Sequence, residues 1–302
     1  MQALMNAPDP STRFPRNGKL VGRLLVLAAA LLWSTSGLFA KLPVFDEWSD
    51  PVRGPLLAFW RALFAALVLL PVVRRPRWKG NLVPLCGSFV VMNITYLSAM
   101  ALTTAANTTW LQATAPWWVF VMLVFFFREP VVRRNLVPLG FGFLGVGLIV
   151  LCEIQGRSPI GVACGLASGV SYAGVVVFLR QLRGENPAWL IALCHLAAAI
   201  VMLPWVIYLG VWPSSGQLLV LAAFGVVQMG IPYVLFFRGL RTIGSLEAVL
   251  IGLVEPVVLP FWAYLARGEI PAWWSIVGAA LILVGLLLRY VVLAELQRRA
   301  VG

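Results

Sequence analysis

The sequence predicts an all-α integral membrane protein whose ten transmembrane helices form two inverted five-helix repeats around a central cavity. Three observations predict it. Of 302 residues, 61% are hydrophobic and 11% charged, against about 25% charged in a soluble domain, and the mean hydropathy is +0.92. The apolar runs last about 19–24 residues, enough to cross a hydrocarbon core of roughly 30 Å at about 1.5 Å per residue. A pattern near the middle of the chain also returns 140 residues later. Backbone groups in lipid must be satisfied internally, and runs this continuous achieve that as helices; barrel strands alternate every second residue over about ten.

The elements follow in order. Residues 1–19 are polar, contain Pro8, Pro10 and Pro15, and lack the apolar start of a cleaved signal peptide, so they read as a cytoplasmic tail ahead of a retained first helix. Helix breakers and charges delimit spans at 20–40, 55–73, 81–101, 105–127 and 135–153, which make up a first repeat over 20–153. Spans at 159–179, 187–210, 216–237, 245–266 and 271–293 make up a second, inverted repeat over 159–293, and 294–302 is a cytoplasmic tail. The longest loop, 41–54, leaves no extramembrane domain to hold a catalytic site.

A net charge of +12 would suggest nucleic acid in a soluble chain. Here the basic residues crowd into alternate short loops, so no nucleic-acid partner is expected and the charge reports topology. All Lys and Arg residues except Lys41, Arg53, Arg61, Arg157 and Arg267 fall on one side, which the positive-inside rule makes cytoplasmic, with both termini there. Cys86, Cys152, Cys164 and Cys194 lie in or beside apolar runs without C-x-x-C spacing and read as small hydrophobes; a Cys152–Cys164 disulfide is the alternative. Neither a metal site nor a cofactor is indicated.

"ATAPWWVFVMLVFFFREP" from Ala113 is echoed by "LVEPVVLPFWAYLARGEI" from Leu253, with Pro116 against Pro256, Glu129 against Glu269, Val137 against Val277 and Gly145 against Gly285. Five spans per copy is an odd number, so the second copy enters the membrane from the other side. The charge-derived orientation independently puts Glu129 in a cytoplasmic loop and Glu269 in an outer one. Two similar halves of opposite topology can exchange shapes and open one central site to either side in turn, the architecture of secondary transporters.

"LLWSTSGLFAK" in span 1, "FWRALFAALVLLP" in span 2, "AP…REP" in span 4 and "EP…RGE" in span 9 resemble the drug/metabolite transporter superfamily. The likeness is to EamA-type ten-helix exporters, most closely the YddG-like amino-acid exporters, and covers about residues 20–293. It implies a ten-helix basket around a central cavity, export of small metabolites and a bacterial inner-membrane location.

Polar groups inside spans need a cavity, a partner or a route to water, because a central charge costs about 2.5–3.5 kcal/mol on insertion scales. Arg61 stands about six residues, roughly 9 Å, from the outer end of span 2. Its guanidinium either snorkels to the interface or lines the cavity mouth and attracts a carboxylate. Glu255 lies near the midplane of span 9 beside Pro256 and Pro260, whose freed carbonyls mark a kinked helix facing a cavity; Pro116 repeats the kink in span 4 without the acid. Glu255 is a candidate for substrate binding or proton coupling, or else for a structural hydrogen bond. His195, the sole histidine, has the same coupling option, although a satisfied interhelical role is favoured.

Asn93 and Tyr96 share a face of span 3, and Trp110, Thr114 and Trp117 a face of span 4. Gln228 and Tyr233 in span 8, Trp33 in span 1 and Tyr172 in span 6 complete the candidate lining, with an aromatic belt or plain packing as the alternative for the rings. Asn93 and Gln228, being deep, are the leading candidates. Gly161, Gly165 and Gly169 form a smooth ridge for close helix approach, and "GFGFLG" at Gly140 is packing rather than a dinucleotide fingerprint, since no strand precedes it.

A transporter is favoured over an intramembrane enzyme using Ser168 or Ser171 with His195, and over a passive channel. Several midplane cations would be needed for phosphorylated cargo, and only Arg61 and His195 are available. The expected partners are therefore membrane lipid and a small zwitterionic or neutral substrate, an amino acid above all, carried by a monomer.

Overall fold

The computed structural model of the chain describes residues 16–73, 76–125, 128, 136–154, 158–182, 184–243 and 245–301. Glu129 and the residues before Arg16 lie outside the described residues. Regular structure among the described residues is entirely helical. The first repeat supplies α1 (Arg16–Ser34), α2 (Ser36–Ala40), α3 (Asp50–Leu69), α4 (Leu82–Leu102), α5 (Ala105–Gln112), α6 (Ala115–Phe125) and α7 (Leu136–Ile154). The second supplies α8 (Pro159–Gln181), α9 (Pro187–Leu209), α10 (Ser215–Ala223), α11 (Ile231–Gly239), α12 (Ser245–Gly252), α13 (Val254–Arg267) and α14 (Trp273–Val301). A π-helical stretch, Phe224–Gly230, joins α10 to α11.

Helix starts are written in side chains. Thr104, Ser158 and Asn186 each accept a hydrogen bond from a backbone N–H of the first turn of α5, α8 and α9, and Ser214 with Gln217 closes a reciprocal capping box on α10. Gly210 and Gly268, at φ 64° and 66°, end α9 and α13 in the left-handed region that other residues avoid. Among the described residues, six helical stretches are long and apolar enough to cross a membrane unbroken, including Asp50–Val72 and Pro187–Leu209.

Spans 4 and 9, expected from the sequence to kink at Pro116 and Pro256, go further than a kink. Each breaks in mid-membrane, at Ala113–Thr114 and at Leu253, giving α5/α6 and α12/α13. The reason is local: Pro116 and Pro256 follow within three residues, lack an N–H for the preceding turn, and so sit in the first turn of a new helix.

The packing pairs reveal the repeat. Numbering the spans one to ten, α4 lies along α8 (3 with 6) as α1 lies along α11 (1 with 8); α5 and α6 lie on α8 (4 with 6) as α13 lies on α1 and α2 (9 with 1). Exchanging the halves maps each pair onto the other. Three pairs map onto themselves: α3 with α9, α7 with α14, and α5 with α13. The contacts trace a circuit of spans 2, 3, 6, 4, 9, 1, 8 and 7, with spans 5 and 10 paired outside it.

Glycines set the closest approaches. A Cβ on Gly145 would stand 2.5 Å from Gly278 O, which explains how α7 and α14 pair so tightly. The Gly161, Gly165 and Gly169 ridge of α8 meets Thr103, Leu111 and Thr114 of span 4 and its approach. All four cysteines are free, so the Cys152–Cys164 alternative is not realised.

Candidate functional site

Span 8 is where the interior becomes polar. The π-helical turn inserts an extra residue per turn, a feature that tends to occur at functional sites, and it carries Gln228. Gly225 allows this turn to lie on α3: a Cβ there would meet Phe64 Cβ at 2.5 Å and Arg61 O at 2.8 Å. Gln228 is thereby brought beside Arg61, whose Nη1 donates to Gln228 Oε1 at 3.4 Å while Nη2 donates to Asn93 Oδ1 at 2.5 Å. The amide nitrogens are also used, Asn93 Nδ2 on Ala58 O at 3.0 Å and Gln228 Nε2 on Trp33 O at 3.1 Å.

Arg61 is only 1% exposed, so it neither snorkels to an interface nor lines a mouth, the two positions expected from its distance to the helix end. Its guanidinium lies over the Tyr96 ring at 5.8 Å and the Phe224 ring at 5.3 Å. Two amide oxygens and two aromatic faces compensate a cation that would otherwise be very costly in this interior. Spans 2, 3, 8 and 1 are tied together by this one side chain and its amides.

Around this network stand the other polar groups. Tyr96 OH and Ser36 Oγ share a hydrogen bond of 3.0 Å, and Trp262 Nε1 donates to Ser34 Oγ at 2.9 Å. Trp33 packs edge-on against Tyr233 at 5.2 Å, and Tyr172 is 41% exposed. Glu255, in the first turn of α13 just past the break in span 9, is partly exposed.

Other sequence candidates go elsewhere. Trp110 and Trp117 are buried in an apolar cluster with Ile149, Val162, Ala279 and Ile282, facing spans 5 and 10; this is packing, not an aromatic belt. Thr114 Oγ1 turns back onto Leu111 O and accepts from Trp118 Nε1 at 3.1 Å, stabilising the break in span 4. His195 is fully buried between Phe89 and Tyr233 and, among the described residues, finds no hydrogen-bond partner at either ring nitrogen, unlike the satisfied interhelical histidine expected from the sequence. Ser168 Oγ accepts from Gln112 Nε2 at 3.0 Å. A separate, mostly apolar groove of about 520 Å³ runs between α4, α6 and α8 past Gly87, Ser88, Met122 and Gly174.

The two ends of the circuit differ. At the end holding Lys41, Lys41 Nζ pairs with Glu269 Oε2 at 3.0 Å and donates to Thr103 O at 2.8 Å. Glu269 Oε1 accepts from Ala105 N, at the start of α5, at 2.6 Å. Arg267 donates to Lys41 O at 3.1 Å and pairs with Asp46. The Lys41–Glu269 pair is 11% and 16% exposed and joins the two repeats, and α5 packs directly on α13 beneath it. At the opposite end Arg23 pairs with Glu247 and Lys79 with Glu185, and among the described residues α6 and α12 make no contact comparable to that of α5 with α13.

Sequence reasoning named Arg61, Asn93, Gln228, Tyr96, Trp33 and Tyr233 but missed Ser36, Phe224 and Trp262. The "WSTSG" run of span 1 was the available signal for the first, since small hydroxyls inside an apolar span seldom lack a partner.

Comparison with known proteins agrees with this architecture. Residues 20–151 and 159–291 each match the EamA-like transporter family, one match per repeat. The chain is 26% identical over 272 residues to an uncharacterized transporter of Archaeoglobus fulgidus, covering 89% of this chain and 96% of that one. It is 24% identical to the uncharacterized transporter YxxF of Bacillus subtilis, covering 94% and 93%. A crystal structure at 21% identity superposes with a TM-score of 0.61 over 90% of this chain, a likeness of fold. Matched in both halves, the chain is a member of the EamA-like transporter family and a membrane transporter by descent.

Proposed function

We propose that this transporter exports amino acids, aromatic and apolar ones among them, across a bacterial inner membrane by alternating access, with both termini cytoplasmic. The observation that carries the reading is the asymmetry of the two ends. One end is clasped across the repeats by Lys41, Glu269 and Arg267, while at the other, among the described residues, the half-helices α6 and α12 lack a comparable contact. Between them lies a polar centre ringed by aromatic groups. Under the positive-inside orientation the clasped end is external, and the conformation is open to the cytoplasm. Two related halves of opposite topology supply a second conformation of equal plausibility, with the roles of the ends exchanged.

The substrate class follows from charge. Phosphorylated cargo would call for several accessible cations, and Arg61 is enclosed. Glu255, partly exposed beside the break in span 9, and the Trp33 and Tyr233 rings support a small zwitterion with an apolar side chain as the cargo. Counterflow in proteoliposomes tests this: labelled phenylalanine or leucine should accumulate saturably against the unlabelled amino acid, and hexose phosphates should not compete. Non-saturating leakage would favour a channel, and exchange of phosphates would overturn the substrate class.

A further inference from the structure

Arg61 would be the natural partner of a substrate carboxylate, yet its donors are engaged elsewhere. Nη1 and Nη2 are held by Gln228 and Asn93, the Tyr96 and Phe224 rings cover the guanidinium, and Nε is unpartnered but enclosed. The amides of Asn93 and Gln228 spend their own donors on Ala58 O and Trp33 O. These groups hold helices together rather than reach outward.

Glu255 is the opposite case. Among the described residues it makes no hydrogen bond and no ion pair, it is partly exposed, and at helical spacing it shares the face of α13 that carries Trp262 toward α1. The break at Leu253 and Pro256 presents it there, and Trp262, two turns along the same helix, is anchored to Ser34 of α1. A carboxylate at membrane depth without a partner is costly, and a substrate ammonium group relieves that cost.

We propose that recognition runs through the substrate's ammonium group, held by the Glu255 carboxylate, while an amino acid's own carboxylate gains no cationic partner. The specificity-determining group is then the amine, and primary amines with apolar side chains are ligands in their own right. The transport consequence rests on the exporter reading; the binding consequence rests on Glu255 alone.

Two measurements on the full-length purified protein test it: thermal stabilisation in detergent, and competition with labelled phenylalanine in counterflow. Phenylethylamine should stabilise and compete at least as well as phenylalanine, whereas 3-phenylpropionate and N-acetylphenylalanine should do neither. Glu255→Gln should weaken phenylethylamine binding about tenfold or more, with Glu255→Asp retaining part of it. Competition by 3-phenylpropionate without phenylethylamine, no stabilisation by phenylethylamine, or unchanged binding in Glu255→Gln would each overturn the proposal. Should Glu255→Gln fail to fold, the ligand series on the unsubstituted protein decides. Failure of phenylalanine to be carried would overturn the exporter reading, while loss of amine binding in Glu255→Gln would still support this one.

Discussion

Replacing Asn93 with leucine should destabilise the protein, not merely slow it. Asn93 is fully buried and supplies the 2.5 Å acceptor for Arg61 Nη2 and a 3.0 Å donor to Ala58 O. Losing an acceptor for a charged donor costs about 1.5–3 kcal/mol, and losing the second, neutral bond about 0.5–1.5 kcal/mol. Added apolar contact from leucine recovers part of this, leaving a net cost of about 3 kcal/mol. The penalty comes mostly from stranding Arg61, so removing the charge as well should recover about 1–2 kcal/mol. Arg61→Met with Asn93→Leu is therefore expected to be less damaging than the sum of the single changes. The assay is equilibrium unfolding by SDS titration from mixed micelles, followed by tryptophan fluorescence, for the four members of the cycle. Strict additivity, or an Asn93→Leu protein as stable as the parent, would refute the claim that the guanidinium depends on this amide.

Other consequences are equally specific. Gly225→Ala forces a methyl group against Phe64 and Arg61 O and should cost about 2 kcal/mol in the same titration. Gly87→Ala, with open space around its Cβ position, should be neutral or slightly stabilising. Glu269→Gln keeps the shape of the clasp but removes its charge, so spin labels at Val44→Cys and Ile270→Cys should report a longer distance population than in the parent. Lys41→Arg should retain the short distance, and Lys41→Met should lose it.

What could be read from the chain was whatever periodicity and charge encode. The spans, the repeat through Pro116 and Pro256, and the kinks at both prolines were legible because a lipid-facing helix tolerates few alternatives. Depth within a span was less legible. Arg61 was expected near the end of a span starting at 55, yet α3 begins at Asp50, so Arg61 stands near its middle, where span 8 covers it and the π turn at Phe224–Gly230 supplies the amide that holds it. Nothing in "FGVVQMG" announces an i,i+5 pattern, because that turn is paid for by tertiary packing against Gly225 rather than by local preference. Trp110 and Trp117 looked like candidate lining because spacing defines a face but not the neighbour it meets; that neighbour is the cluster of spans 5 and 10. The clasp was hidden for a similar reason. Lys41 and Glu269 are far apart in the chain, and only the circuit of spans brings them within 3.0 Å.

Alternating access is tested most directly by freezing the clasp. In a background with the native cysteines replaced, Lys41→Cys and Glu269→Cys joined by a short bifunctional thiol reagent should abolish phenylalanine counterflow in proteoliposomes, and cleaving the linker should restore it. Undiminished counterflow with the link intact would contradict the account, since the substrate would then be crossing without that end ever opening.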